Sequence, residues 1–310
     1  MMEPVRRIKD IDYKELVGTV RYDYPKALWN LGMLFTGILL APFTFSLEAL
    51  ALFTISTYLS LLVGHSVGMH RMMIHRTFDC PRLIQNLLIY IGVLVGMSGP
   101  FGIIRIHDIR DWAQRKSECP AFFSHTESYF KDLWWQLTSR FEFERPPEVQ
   151  IEFKFAKDKF IVFLEKSWRW HQLMLALILF TIGGVSFVVW GVCLRIGVSV
   201  VGHWSITYFC HNPGPGKWRV KGAGVQASNI SGLGLLTYGE CWHNNHHAFP
   251  ESAKIGLEKG QVDPAWWFIV LLSKLGIASN IRTPRPMDER EDLYHVSVQK
   301  LKADINKEQF

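Results

Sequence analysis

The chain alternates between long apolar stretches and strongly polar segments. Apolar residues dominate positions 27–45 and 47–64 and, after a polar middle, positions 170–210. A helix needs roughly 20 consecutive apolar residues to cross a hydrocarbon core about 30 Å thick. The first two stretches therefore predict a helical hairpin. The third is long enough for two more spans, near 170–189 and 191–210.

The turn inside the third stretch can be placed at two sites, Gly183–Gly184 and Trp190–Gly191. Glycine suits either turn, because it adopts backbone conformations that other residues avoid. A further apolar stretch, 83–104, is interrupted by the sequence GMSGP at 96–100. Irregular backbone at membrane depth is tolerated only where protein or a water-filled cavity surrounds it. This stretch therefore predicts an interfacial or re-entrant helix rather than a span.

The positions of the charged residues set the predicted topology. The formal net charge is +6. Lys and Arg lie almost entirely in the N-terminal segment 1–26, in the region that follows the second apolar stretch, and after residue 211, whereas both hairpin tips are nearly bare. Cytoplasmic segments of membrane proteins carry an excess of Lys and Arg. Both termini and the polar regions are therefore predicted in the cytoplasm, and no nucleic-acid partner is needed to explain the basic excess.

These features together predict an all-α integral membrane fold. In it, residues 27–281 form a domain of four transmembrane helices, and a cytoplasmic helical cap is made of residues 105–169 and 211–281, followed by a polar tail at 282–310. The five cysteines contain no C-x-x-C pair, which argues against a disulfide scaffold or a zinc ribbon. The polar N-terminus predicts no cleaved signal peptide. The lack of an endoplasmic-reticulum retrieval signal favours a bacterial inner membrane.

Most histidines cluster at the cytoplasmic ends of the predicted spans. His243, His246 and His247 are three and four residues apart, so a helix would present them on one face. His203 and His211 are eight residues apart, about two helical turns, and would also share a face. Clusters that are distant in the sequence would then meet at one depth, on one side of the membrane.

The first cluster has a different spacing. His70 and His75 are five residues apart, which corresponds to about 140° around an α-helix. The pair is therefore expected to diverge, to serve different metals or to straddle a helix end. Neutral imidazole binds iron, copper, nickel and zinc, and one zinc site needs only about four ligands. The number of clustered histidines predicts two metal ions. Ordinary polar roles are expected for the other histidines: His65, His125, His171 and His295. For His65 this role is only slightly favoured over metal binding.

Two of the clusters belong to longer motifs. Residues 70–78, HRMMIHRTF, resemble the first histidine box of the membrane-bound acyl desaturases, H-x-x-x-x-H followed by R-[TS]-[FY]. Residues 239–250, GECWHNNHHAFP, resemble the last box of that family, G-E-x-x-H-N-x-H-H-x-F-P. The second match is highly specific. The order of apolar stretches and boxes also fits, so the resemblance to the membrane-bound fatty acid desaturases extends from about residue 27 to about residue 281.

The resemblance implies four transmembrane helices beneath a cytoplasmic cap, with two iron ions in a nearly all-histidine site. It implies O₂ activation and removal of two hydrogens from a fatty acyl chain linked to CoA or to a lipid. Electrons would come from a separate carrier, such as ferredoxin or cytochrome b5. The residues expected to bind metal, including two non-standard candidates, are His70, His75, His107, Asp111, His203, His211, His243, His246 and His247.

Further residues are expected to surround the metals. Imidazole ligands are usually oriented by a hydrogen bond from their second nitrogen, and the candidates for such support are Asp79, Asp108, Arg110 and Glu240. Other residues are assigned to the acyl path, to a CoA phosphate or to a redox partner, with packing or a solvated surface as the competing interpretation. These are Arg105, Trp112, Arg115, Lys116, Trp242 and Phe249.

The middle histidine box departs from the family pattern. The family has H-x-x-H-H, whereas residues 107–111 read HDIRD, so only His107 is retained. Asp111 can replace one histidine, because carboxylates bind iron in other oxygen-activating sites. Arg110 cannot, since its guanidinium stays protonated and offers no lone pair. It is expected instead to pair with Asp108 or Asp111.

A second departure lies one helical turn before His211. Thr207 stands where the family has an asparagine, and His203 could supply the missing ligand. Two alternatives to desaturation therefore stay open. The same scaffold could hydroxylate or otherwise oxygenate a lipid, because a small change in substrate position separates the outcomes. The site could also have decayed into a non-catalytic protein that binds lipid or a partner; Arg110 favours this, and the intact last box disfavours it.

Overall fold

The computed structural model describes residues 7–8, 16–284 and 291–297, most of which are helical. Within this part of the chain, three helical stretches are long and apolar enough to cross a membrane: Tyr24–Thr44, Leu47–Ile74 and Lys159–His211. The prediction of a mostly helical membrane protein is confirmed. Most of the predicted polar tail lies outside the described residues.

The first two spans form a hairpin with capped ends. Helix α1 (Tyr24–Leu40) begins at Asp23, whose side chain accepts a hydrogen bond from the backbone of the first turn. A short 3₁₀ turn, Ala41–Thr44, ends this arm. Helix α2 (Leu47–Leu59) begins after Ser46, whose hydroxyl accepts a hydrogen bond in the same way. Both caps satisfy N–H groups that a helix start leaves unpaired.

The second span continues beyond α2 as a π-helix, Ser60–Ile74, in which hydrogen bonds join residues five apart. A turn of this kind is wider than an α-helical turn, and π geometry is concentrated at functional sites. The same spacing extends to the end of the segment, where the N–H of His75 donates to the carbonyl of His70 at 3.0 Å. The first histidine box thus lies on a π-helix.

The stretch predicted to be interfacial or re-entrant, 83–104, falls on two helices, α3 (Arg82–Leu94) and α4 (Pro100–Gln114). Helix α3 has 13 residues and is about 20 Å long at 1.5 Å per residue, too short to cross a bilayer. It packs tightly on the π-helix, where a Cβ at Gly64 would lie 2.3 Å from the backbone nitrogen of Gly92. Helix α4 then carries the middle box.

The expectation of an all-α chain is wrong in one respect, because two small antiparallel sheets join the cap. Strand β1 (Gly18–Tyr22) pairs with β2 (Ser139–Phe143), and β3 (Trp218–Val220) pairs with β4 (Leu293–His295). The sequences GTVRY and SRFEF of the first pair contain the β-branched and aromatic residues that suit a pleated, half-buried surface. Between α4 and the last spans, the cap adds α5 (Ala121–Ser124), α6 (Tyr129–Thr138) and α7 (Phe153–Ala156).

The longest apolar stretch contains a turn. Helix α8 (Lys159–Val188) leaves helical geometry at Gly183–Gly184, where Gly184 has a φ of +62°. This is the left-handed region that favours glycine. The chain then continues through a π-helical segment, Val189–Leu194, into α9 (Arg195–His211).

The two arms of this stretch are antiparallel. Arg195 donates a hydrogen bond to the Gln172 side chain at 2.9 Å, across the arms. The turn therefore lies at Gly183–Gly184, and the alternative at Trp190–Gly191 is inside the second arm. The boundary between the two spans, predicted at residue 190, therefore lies about seven residues earlier in the chain. The two adjacent glycines interrupt the helix because Gly184 adopts a left-handed backbone conformation, whereas Trp190–Gly191 stays helical.

Two more helices complete the cap, α10 (His243–Ala248) and α11 (Pro264–Lys274). The main core lies where the π-helix, α3, α4, α8 and α11 meet, directly beside the histidines of the π-helix. The most buried members of this core are Val67, Met73, Ile89, Ile104, Ile161 and Ile269.

Candidate metal centre

Seven of the predicted metal ligands converge in two groups. Each imidazole offers one nitrogen, and within each group these atoms all lie within 4.8 Å of one another. Six of the seven side chains are buried and one is partly buried. The first group consists of His70, His75, His107 and His246, and the second of His211, His243 and His247.

The spacing of the nitrogens fits shared metal ions. The Nε2 atoms of His75 and His107 are 3.2 Å apart, and Nε2 of His247 is 3.3 Å from that of His211 and 3.1 Å from that of His243. Ligands about 2.1 Å from one ion lie roughly 3.0–3.4 Å from each other. A neutral imidazole has a single N–H, so hydrogen bonding alone does not account for three Nε2 atoms that converge.

The π-helix positions the first pair of ligands. Because its hydrogen bonds join residues five apart, His70 and His75 lie over one another, with ring centroids 4.8 Å apart. The predicted divergence of this pair is therefore wrong, since it assumed α-helical periodicity. Helix α4 adds His107, whose ring centroid is 4.8 Å from that of His75.

Helix α10 lies between the two groups and contributes to both. Two asparagines between its histidines fix it in place. The side chain of Asn244 donates to the carbonyls of Trp218 and Ala227, both at 2.9 Å. The side chain of Asn245 donates to Gln261 at 2.8 Å. These contacts hold a helix of only six residues that would not form on its own.

Several ligand candidates have their second nitrogen occupied. Nδ1 of His70 lies 2.9 Å from Glu240, and Nδ1 of His107 lies 3.1 Å from Asp108. Nδ1 of His211 donates to the carbonyl of Thr207 at 2.8 Å. Each contact places the N–H on Nδ1 and leaves the Nε2 lone pair for a metal.

We expect Glu240→Gln to weaken metal binding by about 10- to 100-fold, because glutamine keeps the shape but removes the negative charge that supports the His70 imidazole. The measurement is a metal titration of the purified protein. The control is Glu258→Gln, whose carboxylate forms a surface ion pair with Lys217 at 2.8 Å and whose loss should leave the affinity unchanged. Equal affinities for Glu240→Gln and the native protein would contradict the role of Glu240.

The protonation of the histidines also suits metal binding. Burial lowers the pKa of His75, His243 and His246 well below the ordinary value, and it lowers the pKa of His247 to about 4. These imidazoles are therefore neutral near pH 7, and neutral imidazole is the form that binds metal.

Asp111 adjoins the first group. Its Oδ2 is 3.6 Å from Nε2 of His107, and its charge also acts on His246 and His247. Burial raises the pKa of Asp111, but neighbours that include His107 and Arg110 together lower it by more, so the net shift is downward. The carboxylate is therefore ionised beside His107.

Two predicted residues lie away from both groups. The ring of His203 packs against that of His65, with centroids 5.0 Å apart, and His203 is in neither group. Asp79 is exposed and accepts a hydrogen bond from Asn280 at 2.8 Å. It contacts no imidazole among the described residues, because the chain turns away from the π-helix after His75.

Two cavities adjoin the histidines. The first, about 430 Å³, is lined mainly by apolar side chains together with His70, His107 and His243. We call it the acyl cavity. The second, about 540 Å³, is lined mainly by charged and polar residues and reaches His75, His107 and Asp111. We call it the polar pocket.

Six residues were predicted to contact the substrate or a redox partner, and they lie either at the polar pocket or elsewhere in the cap. Three of them line the polar pocket: Trp112, Arg115 and Lys116. Arg105 is exposed, 3.9 Å from Glu165. Trp242 is buried in the cap and donates to the carbonyl of Val262, and Phe249 packs against Trp218. None of the six lines the acyl cavity within the described chain.

His125 was expected to have an ordinary polar role, but it supports a ligand candidate. Its ring stacks on that of His211 with centroids 5.5 Å apart, and its Nδ1 is 3.0 Å from the buried Asp132. The sequence did not indicate this contact, because His125 has no regular spacing to the other histidines.

Arg7 is a second residue that sequence reasoning missed. It is buried and forms ion pairs with Asp108 at 2.9 Å and Glu152 at 2.7 Å. It also donates to the backbone carbonyls of Met73 and Ile74. The Arg7 guanidinium thus connects Asp108, the carboxylate that orients His107, with the C-terminal end of the π-helix. The contacts span more than sixty positions, and no local pattern predicts them.

Known proteins resemble this chain over most of its length. Residues 45–255, which include all seven histidines of the two groups, match the fatty acid desaturase family. An sn-1 stearoyl-lipid 9-desaturase of Anabaena variabilis is 32% identical over 82% of this chain and 90% of its own. The Delta-9 acyl-lipid desaturase 1 of Arabidopsis thaliana is 30% identical over 87% of each chain. An acyl-CoA 5-desaturase of Anemone leveillei is 28% identical over 86% of this chain and 82% of its own. The family match and these relatives agree with the histidine geometry, and the chain belongs to the fatty acid desaturase family.

Proposed function

We propose that this protein introduces a double bond into a fatty acyl chain, using O₂ and two iron ions. One observation carries the proposal: two groups of buried histidines, seven in all, adjoin an apolar cavity of about 430 Å³. Imidazole and carboxylate ligands suit iron, and a mainly apolar cavity of this size suits an alkyl chain.

The donor set fits one ion in each group. Four imidazoles of the first group would hold one ion, and three imidazoles of the second group, completed by Asp111, would hold the other. When bound, the irons supply O₂ activation and the removal of hydrogen. The overall reaction converts –CH₂–CH₂– to –CH=CH– and reduces O₂ to two waters, which consumes two further electrons and two protons. Burial keeps His75, His243, His246 and His247 neutral. Glu240 orients His70 and Asp108 orients His107, and the apolar cavity lining excludes water from the alkyl chain.

The additional electrons come from a separate one-electron carrier, such as ferredoxin or cytochrome b5. The polar pocket offers a route for them, because it reaches His75 and His107 and is lined mainly by charged and polar residues. Arg115, Lys116 and Lys221 line this pocket, and their positive charge would complement an acidic carrier.

The same proposal includes the orientation in the membrane. The long apolar stretches, with the last divided at Gly183–Gly184, supply four transmembrane helices. Both termini and the metal centre then lie in the cytoplasm, because Lys and Arg are concentrated on that side. We assign the protein to a bacterial inner membrane.

The decisive experiment combines elemental analysis with product analysis. The purified protein in lipid nanodiscs should contain about two irons per chain and, with O₂ and a reduced carrier, yield a product lighter than the substrate by two hydrogens. A product heavier by one oxygen would replace desaturation with hydroxylation. No iron after iron-replete expression, together with no product, would overturn the proposal in favour of a non-catalytic lipid-binding protein.

Removing the metal is expected to lower both activity and stability. Chelation should abolish desaturation and lower Tm by about 5–10 °C, since bound metal stabilises only the folded state. Added Fe²⁺ should restore both properties, whereas Zn²⁺, which has no redox chemistry, should restore Tm alone. Thermal unfolding and product formation are measured on the same preparation. Unchanged Tm after complete metal removal would mean that the histidine groups do not bind metal.

A further inference from the structure

Arg110 has no place in metal binding, yet it is 6% exposed and lies at the centre of the site. It follows His107 by three residues on α4, so the two side chains share a helix face. Both line the acyl cavity. A guanidinium stays protonated in proteins, so this apolar cavity contains a permanent positive charge beside the first histidine group.

Other buried arginines of the chain are well partnered. Arg7 has two carboxylates within 3.0 Å, and Arg71 pairs with Asp263 at 2.8 Å and donates to the carbonyl of Ala253 at 2.7 Å. The guanidinium of Arg195 donates to three neutral oxygens, including Gln172. These arginines fix the fold.

Arg110 is different. In the described part of the chain, its guanidinium has one hydrogen-bond or ion-pair partner, Asp111, at a long 3.4 Å. That carboxylate is itself committed to the histidines. Leaving a buried charge incompletely paired costs several kcal/mol, so an oxygen ligand in the cavity would relieve this cost.

The cavity wall near Arg110 has other polar groups that the metal groups do not use. His65, His203 and Thr207 line the same cavity, and the rings of the two histidines pack against each other with centroids 5.0 Å apart. The remainder of the lining is mostly aliphatic, with Leu61, Ile103 and Val198 among its members. The cavity therefore combines a cationic polar end beside the metal centre with an apolar end, which is the pattern of an amphiphilic anion.

We propose that Arg110 binds the carboxylate of a fatty acid inside the acyl cavity. Calling this ligand the substrate rests on the proposed desaturase function, whereas the binding itself does not. A carboxylate is planar and matches the guanidinium in a bidentate contact. Arg110 and His107 are three residues apart, about 4.5 Å along the helix axis, so the carboxylate would lie beside the first histidine group.

The test is competition binding with radiolabelled hexadecanoic acid on the full chain in nanodiscs, as purified and after chelation. Hexadecan-1-ol, which has the same chain without the carboxylate, should bind about 10- to 100-fold more weakly to the native protein, the usual contribution of a hydrogen bond to a charged group. Arg110→Gln should remove this preference, and Arg110→Lys should restore part of it. The preference of each variant is a ratio, so a partial loss of folded protein does not change it. The exposed Arg140→Gln should keep the preference of the native protein.

Each other outcome overturns the proposal in its own way. Equal binding of acid and alcohol by the native protein would mean that the cavity has no carboxylate site, even if the protein binds iron and desaturates another substrate. A preference that disappears on chelation but survives in Arg110→Gln would assign the carboxylate to the metal. Acetate or phosphate that competes as strongly as hexadecanoic acid would assign Arg110 to a small free anion. If Arg110→Gln cannot be purified, the native ratio and Arg110→Lys decide.

Discussion

Replacing His246 with alanine is expected to remove at least one of the two irons and to reduce desaturation below detection. His246 is 2% exposed, and its ring centroid lies 4.7 Å from that of His70 and 4.6 Å from that of His75. His246 is the residue that α10 contributes to the first group. Its loss therefore removes the ligand that connects the cap with the histidines of the π-helix. Elemental analysis of the purified variant measures the iron, and circular dichroism verifies that the helices remain.

A matched control is available for this variant. His171 lies on α8, outside both groups, and its Nε2 is 3.1 Å from the Ser167 hydroxyl. His171→Ala removes the same chemical group at a site without metal, and it should retain both irons and full activity. An iron content in His246→Ala equal to that of the native protein would refute the assignment of the first group as a metal site.

Asp111 is expected to be the fourth ligand of the second group, and two substitutions test this from opposite directions. Asp111→Asn removes the charge at nearly constant size and should lose about one iron per chain and almost all activity, because an uncharged amide is a poor iron ligand. Asp111→His creates the imidazole that the family has at this position and should keep two irons. The measurement is again iron per chain, with product formation alongside.

The control for these variants is Asp79→Asn, which removes an exposed carboxylate bonded to Asn280. It should behave as the native protein does in both measurements. If Asp111→Asn retained two irons and Asp111→His lost one, Asp111 would serve to balance the charge of Arg110 rather than to bind metal.

The apolar stretches and the last histidine box were the most predictable parts of the molecule. A span depends on the length and composition of one segment, and three box histidines depend on spacing within five residues, so both can be inferred locally. The position of the turn was less certain, because Gly183–Gly184 and Trp190–Gly191 differ only in which backbone conformation they adopt. The φ of +62° at Gly184 decides between them.

The first histidine box shows why a correct motif gave an incorrect geometry. The prediction placed His70 and His75 about 140° apart, as on an α-helix. The backbone is instead a π-helix over Ser60–Ile74, so residues five apart superimpose. Nothing in the local sequence distinguishes the two helices, since the wider turn depends on packing against α3 and the cap.

Residues that support the site were the least predictable. Asp79 and Asp108 were predicted alike to orient imidazoles, yet Asp108 lies 3.1 Å from Nδ1 of His107 whereas Asp79 bonds to Asn280. Pairs such as His125 with His211 join segments that only the folded chain brings together. The incomplete pairing of Arg110 also depends on which oxygens surround it in three dimensions, since the sequence offered Asp108 and Asp111 as equal partners and the structure shows one long contact, to Asp111.

The contacts of Arg7 have a practical consequence for handling this protein. Its guanidinium joins Asp108 to the carbonyls of Met73 and Ile74, so a residue near the start of the chain helps to fix two ligands of the first group. Proteolytic removal of Arg7, or a bulky affinity tag fused beside it, would therefore disturb the positions of His75 and His107, although this segment contains no histidine box.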